Sequence, residues 1–236
     1  MPKAKVIIFD LFETLIHDIK FDFTSGLLYL HENVLFEATD KLELLNYADT
    51  YWKNLYDKRN EDNSELPFEE ELLDFKNKYG FKVDLPTEEI QYNCVLTMNP
   101  TELFNETIST LEKLNSLGIP VYLLSNSIFK KNVMKKFINQ YELEKYFVNT
   151  YFSADYKVRK PHKDFFQVVF DDIQKDNKGI ENEEVFFIGD NYDADVLGAK
   201  NFGFTPVFLN RKHVDGINNK GFLEINSLNE LFELMT

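Results

Sequence analysis

Val6-Ile7-Ile8-Phe9 is an unbroken run of β-branched and aromatic residues that stops at a charge, Asp10. A strand with no polar residue on either side has no face to give to water, so it belongs in a parallel sheet covered on both faces. The arrangement recurs where Val121-Tyr122-Leu123-Leu124 runs into Ser125, and where Val185-Phe186-Phe187-Ile188 runs into Gly189-Asp190. The spacing predicts helices over 102–117, 129–140, 162–173 and 193–202, the first stopped by Gly118-Ile119-Pro120 and the last by Gly203. Strand and helix in alternation with short connections predict an α/β fold, a doubly wound parallel sheet with right-handed crossovers. Ligands of such sheets bind outside the carboxyl ends of the strands, where Asp10, Ser125 and Asp190 would gather.

Residues 17–99 break this rhythm. They offer no convincing buried strand, but apolar residues recur at helical spacing, as in Leu42 and Leu45, then Trp52, Leu55 and Tyr56, then Leu72, Leu73 and Phe75. Residues 60–67 and 80–86 read as connections. The expected organisation is a core of residues 1–16 and 100–236 into which 17–99 are inserted as a helical domain, hanging over the end of the first strand like a lid. The charge-rich piece 60–71 reads as a solvated turn and helix start.

The charge balance narrows the partners. Twenty-six basic against 40 acidic side chains give a net −14, which opposes broad nucleic-acid binding and attraction to anionic lipid. An anionic substrate must therefore meet a local positive site, and Lys157, Arg159, Lys160 and Lys163 form one such cluster. Cys94 is the single cysteine, too few for a disulfide or a cysteine-based zinc site, and is expected to be a buried apolar residue. The apolar runs stop far short of the roughly twenty residues that span a bilayer. With no signal peptide visible, a cytoplasmic location is expected. His17, His31, His162 and His213 are too scattered for a histidine-based metal site.

Four separated segments, Asp10-Leu11-Phe12-Glu13-Thr14, Ser125-Asn126, Lys160-Pro161, and Gly189-Asp190 followed by Asp195, lie in order at the expected strand ends. In this they resemble the haloacid dehalogenase-like hydrolase superfamily, over residues 5–211, with the helical insertion placed as in its helical-cap subgroup. The resemblance implies Asp10 as nucleophile, a carboxylate that splits one hard displacement into two easier ones. It implies that Thr14 orients the loop by hydrogen bonding, and that Ser125 with the Asn126 amide holds the oxygens of the transferred group. Ser125-Asn126-Ser127 also reads as the cap of the next helix, and both roles are compatible. Lys160 would neutralise nucleophile and transferred group, with Lys157 the alternative lysine of that loop. The implied cofactor is Mg2+, held by Asp10, the backbone carbonyl of Phe12 and Asp190, with Asp195 holding metal-bound water or Lys160. Asp193 reads as surface charge.

One position departs from the pattern. The family's phosphatases carry a second aspartate two residues after the nucleophile, acting as general acid and base, and here that residue is Phe12. Losing a positioned acid/base typically costs on the order of 10²- to 10⁴-fold in rate. Glu13, His17, Lys53 and Lys58 are the candidate substitutes, with the Glu13 side chain expected to point elsewhere. The expected function is Mg2+-dependent hydrolysis of a small phosphorylated metabolite, by a monomer or homodimer. The alternatives are hydrolysis of a carbon–halogen bond as in 2-haloacid dehalogenases, which carry an aromatic residue at this position, or a catalytically weak ligand-binding member. Dehalogenases use a cap arginine for the substrate carboxylate, and Lys53, beside Trp52, is the nearest substrate-binding candidate here, though lysine does not replace a bidentate guanidinium.

Overall fold

In the computed structural model, which describes residues 3–36, 39–214 and 221–235, the first apolar run is β1 (Val6–Phe9). It is followed by β2 (Ile16–Asp18), β3 (Thr101–Leu103), β4 (Val121–Ser125), β5 (Asn149–Phe152), β6 (Val185–Gly189), β7 (Thr205–Leu209) and β8 (Leu223–Ile225). Six of these form one sheet in the order β5-β4-β1-β6-β7-β8, with every pairing parallel. β1 pairs with β4 on one side and β6 on the other, with Phe9 opposite Leu123 and Ile188. The chain thus changes direction of winding around β1, and the crevice at its carboxyl end opens between the ends of β4 and β6.

Alternation along these strands divides the core. Ile7, Phe9, Val121, Leu123, Phe186 and Ile188 face one layer, and Val6, Ile8, Tyr122, Leu124, Val185 and Phe187 face the other. The first layer is covered by α5 (Thr107–Ser116) and α6 (Lys131–Asn139), and the second by α7 (Lys163–Asp176) and α8 (Gly198–Phe202). Both faces are therefore apolar, as the unbroken runs require.

The remaining strands lack that signature and are not legible in the sequence. β5 opens on Asn149-Thr150, β7 carries Pro206, and β8 is three residues long at the sheet edge. Residues 102 and 103, expected to begin a helix, instead join Thr101 in pairing antiparallel with β2. The helix expected from 193 starts one residue earlier as a π-helical stretch, Tyr192–Leu197, before α8.

Between β2 and β3 lie α1 (Phe23–Asn33), α2 (Lys41–Asp62), α3 (Phe68–Tyr79) and α4 (Thr87–Met98). Their core is Leu27, Leu30, Leu44, Leu55, Leu72, Phe75, Ile90 and Cys94, continuous with the layer under α6. Along α2 the buried stripe is Leu44, Tyr51 and Leu55, whereas Leu42 and Tyr56 are exposed. Asp40 caps this helix by accepting from the amides of Leu42 and Glu43. α2 also extends through Asp62, into the piece expected to be a connection. Among the described residues no helix is long and apolar enough to cross a membrane.

Candidate active site

Beyond β1 the chain turns back on itself at once. The amides of Leu15 and Ile16 donate to the carbonyl of Leu11, and the Glu13 amide to that of Ile16 (2.7 Å). Glu13 takes a left-handed backbone, φ 57°. Its carboxylate is committed to the loop: Oε1 accepts from the Asp18 amide (2.9 Å) and lies 3.1 Å from His17 Nδ1. Arg211, just past β7, donates from Nη2 to the carbonyl of Thr14 (3.0 Å), and Thr107 Oγ1 to that of Leu15 (2.6 Å). Thr14 therefore helps fix the loop through its carbonyl, whereas its hydroxyl, expected to do so, is buried without a partner.

This loop delivers Asp10, 7% exposed, to a buried ion cluster. Lys160 Nζ donates to Asp10 Oδ1 and to Asp195 Oδ1, each at 2.7 Å. Asp195 Oδ2 accepts from the Asn191 amide (3.0 Å), and a Cβ at Gly189 would fall 2.3 Å from that oxygen, so the approach of Asp195 to the sheet requires glycine. Asn126 grips the Lys160 backbone from both sides: Nδ2 donates to its carbonyl (3.1 Å) and Oδ1 accepts from its amide (2.8 Å). Burial works against the Lys160 ammonium, but the charges of Asp10 and Asp195 hold its pKa above the ordinary lysine value. Asp190 stands at the same end of the sheet. Burial, reinforced by the charges of Asp10 and Asp195, pushes its pKa up to about 7. Carboxylate oxygens of Asp10, Asp190 and Asp195 lie within 4.8 Å of one another.

Asp10, Asn126, Lys160, Asp190 and Ser125 line an open cavity of about 240 Å³. Ser125 Oγ is fully buried and has no hydrogen-bond partner. A second cavity, about 260 Å³, shares Phe12, Asn126 and Arg159 with the first and continues between Phe129 and the aromatic face of α2 formed by Trp52 and Tyr56. Arg59, Arg159 and Asp18 add the charged groups of its wall.

The sequence-predicted residues Asp10, Phe12, Ser125, Asn126, Lys160, Asp190 and Asp195 are thus brought together. Lys53 is not: it is exposed and lines neither cavity. On a helix, residues 52, 56 and 59 share a face, and the next residue after 52 points about 100° away from it. The α2 cation that lines the cavity with Trp52 is therefore Arg59. Lys58 faces a separate cavity on α2, and Lys157 is exposed and paired with Glu70 (2.7 Å). Asp18, Arg59 and Arg159 are the site residues that sequence reasoning misses as such, although Arg159 belongs to the basic cluster read from the sequence.

The model of the haloacid dehalogenase-like hydrolase family matches residues 4–203. A glyceraldehyde 3-phosphate phosphatase from Methanocaldococcus jannaschii is 24% identical over 134 residues, 56% of each chain, so the match spans just over half the length of that relative. The structure of a HAD phosphatase from Thermococcus onnurineus superposes with a TM-score of 0.65 at 22% identity, covering 98% of both chains. That of a 2-haloacid dehalogenase from Pseudomonas syringae pv. Tomato does so with 0.64 at 17%, again over 98% of both. At these identities the two solved structures speak for the fold alone.

Proposed function

The chain belongs to the haloacid dehalogenase-like hydrolase family, and on that premise we propose that it hydrolyses a small phosphorylated metabolite with Asp10 as nucleophile and Mg2+ as cofactor. The observation that carries the reading is the buried Asp10–Lys160–Asp195 cluster, opening on a cavity where a fully buried serine hydroxyl has no partner. Lys160, fixed by Asn126 and by two carboxylates, holds positive charge where an otherwise acidic chain must receive an anion. Ser125 Oγ is free to donate to a phosphoryl oxygen. Asp10 attacks phosphorus as the bond to the ester oxygen breaks and the alcohol departs, and water then hydrolyses the acyl phosphate, returning the carboxylate and releasing phosphate.

The donor set suits a hard divalent cation. Three carboxylates against one lysine leave net negative charge in a small volume, which adds to burial in pushing Asp190 up. Asp10, Asp190 and the Phe12 carbonyl would hold Mg2+, with Asp195 behind them. The ion would lessen the repulsion between an attacking carboxylate and an anionic phosphoryl group. The helices between β2 and β3 act in this reading as a cap, whose Trp52, Tyr56 and Arg59 face the organic part of the substrate in the second cavity.

Phe12 and the two cavity arginines favour a second reading, dehalogenation of a short 2-haloacid whose carboxylate meets a guanidinium. Purified protein assayed on an aryl phosphate with Mg2+ and with chelator, and on a short 2-haloacid, separates the two. The expected result is phosphate release that needs Mg2+ and is abolished by Asp10→Asn. Halide release indifferent to chelator, with no phosphate release, overturns it.

A further inference from the structure

An ester oxygen leaving phosphorus needs a proton, and Phe12, which lines both cavities, has none to give. Of the substitutes named from sequence, Glu13 lines the cavity of Asp10 but is committed to the loop, and the two lysines lie outside both cavities. Glu13 is tied to His17 and to the Asp18 amide, Lys53 is exposed, and Lys58 faces another cavity. The His17 ring packs on Phe104, with ring centroids 5.6 Å apart.

Asp18 is placed differently. The tight loop after β1 brings β2 back alongside Phe12, through the bridge of Phe12 with Ile16. On a strand, residues two apart share a face, so Asp18 leaves β2 on the side of the fully buried Ile16 and away from His17. Its backbone is pinned by Glu13 on one side and by pairing with Thr101 on the other. Asp18 lines the second cavity, which shares Phe12, Asn126 and Arg159 with the cavity of the nucleophile. Its Oδ1 is buried without a partner, and so is Oδ1 of Asn99 on the same cavity wall. A buried carboxyl oxygen without a donor, such as Asp18 Oδ1, is what a proton relieves, whereas the Asn99 side chain interacts with the same carboxyl and favours its charged form.

We propose that Asp18 is the general acid and base of this site, a role that rests on the phosphohydrolase reading above. As Asp10 bonds to phosphorus, the bond from phosphorus to the leaving oxygen breaks and that oxygen takes the Asp18 proton. The alcohol departs and Asp18 remains as carboxylate. A water then attacks phosphorus, its proton passes to Asp18, the bond from phosphorus to Asp10 breaks, and both carboxyls stand as they began. The surroundings suit the task. Burial, with the charges of Glu13 and Asp10 added and the Asn99 hydrogen bond and His17 opposing, raises the Asp18 pKa to about 6, near working pH. Arg59 of α2 and Arg159 also face the cavity, but both are drawn toward Glu65, at 2.6 and 3.9 Å.

The test is the leaving-group dependence of kcat/KM on a series of aryl phosphates running from para-nitrophenyl, whose phenolate leaves unaided, to phenyl, which needs the proton. For Asp18→Asn the loss should be on the order of a hundredfold or more on phenyl phosphate, and about tenfold or less on para-nitrophenyl phosphate. The decline of phenyl phosphate hydrolysis above pH about 6 that belongs to Asp18 should vanish in the variant. A structural role would lower all esters alike, and that result, or no loss at all, overturns the assignment. The same comparison on Asp18→Ser covers a failure of the first variant to fold. A wild-type protein inactive on every ester would instead bring down the phosphohydrolase reading, and the assignment with it.

Discussion

Glu71 carries a carboxyl that the fold does not provide for. It is 7% exposed on α3, and its Oε1 has no partner. Burial, with the charge of Asp74 added and Tyr47 opposing, raises its pKa to about 7. A raised carboxyl pKa means that the folded state prefers the proton. The stability tied to it is fully present below the unfolded value and is lost as pH rises through about 7, at about 1.4 kcal/mol per pH unit across that window. Glu71→Gln should therefore raise Tm over wild type at pH 8 and change it little at pH 5, as thermal unfolding at the two pH values would read. An equal effect at both would contradict the burial argument. The same physics limits what is legible residue by residue. Asp10 and Asp190 can be picked out because each ends or directly follows a legible apolar strand, and Lys160 and Asp195 because their segments resemble those of a known family. Asp18 cannot, since Asn99, which interacts with its carboxyl, lies some eighty residues away and nothing in its neighbours marks burial. Adjacency to Trp52 points to Lys53, whereas helical phase, the stronger constraint on which side chain reaches the cavity, points to Arg59.

At the scale of elements, the decisive contact joins α2 to the strand-end loops of the sheet. Glu65, with its side chain fully buried, takes two hydrogen bonds on Oε1 from Arg59, at 3.2 and 2.6 Å, and one on Oε2 from Ser153 Oγ, at 2.9 Å. Its amide donates to the carbonyl of Lys157, and the Arg159 amide donates to that of Asn63. The helices between β2 and β3 are thereby stitched to the segment that carries Lys160. Removing the carboxylate leaves two guanidinium groups facing each other in a poorly hydrated place. Glu65→Ala should cost about 3–5 kcal/mol in equilibrium denaturation, the range for breaking one side of a buried pair. A loss below about 1 kcal/mol would show the pair to behave as an exposed one. From sequence, 60–71 reads as solvated because, apart from Arg59 just before it, its charges find their partners far along the chain. Lys130, Lys157 and Arg159 lie some sixty to ninety residues downstream, and pairing at that distance has no local signal. The central strands are the opposite case, since apolar runs without alternation permit only burial on both faces, whereas β5, β7 and β8 owe their place to neighbours already set.

For the molecule as a whole, the net charge of −14 makes the acidic cluster at the end of β1 costly to assemble without a cation. Asp190, raised to about 7, should hold its proton at pH 5.5 and release it by pH 8, so the metal-free protein loses stability across that interval as negative charge accumulates around Asp10. A divalent ion that binds only the folded state adds RT ln(1 + [L]/Kd), about 2.7 kcal/mol at a hundred times Kd. Because the ion competes with the proton on Asp190, Mg2+ should raise Tm more at pH 8 than at pH 5.5. General screening of the acidic surface gives a rise as well, but KCl at matched ionic strength reproduces that part. Asp190→Asn separates the two effects. It should unfold at a higher temperature than wild type in the metal-free state at pH 8, because the repulsion is gone, and it should lose the Mg2+ increment that KCl does not supply. If Asp190→Asn keeps that increment, the ion binds elsewhere and the acidic cluster is not its site.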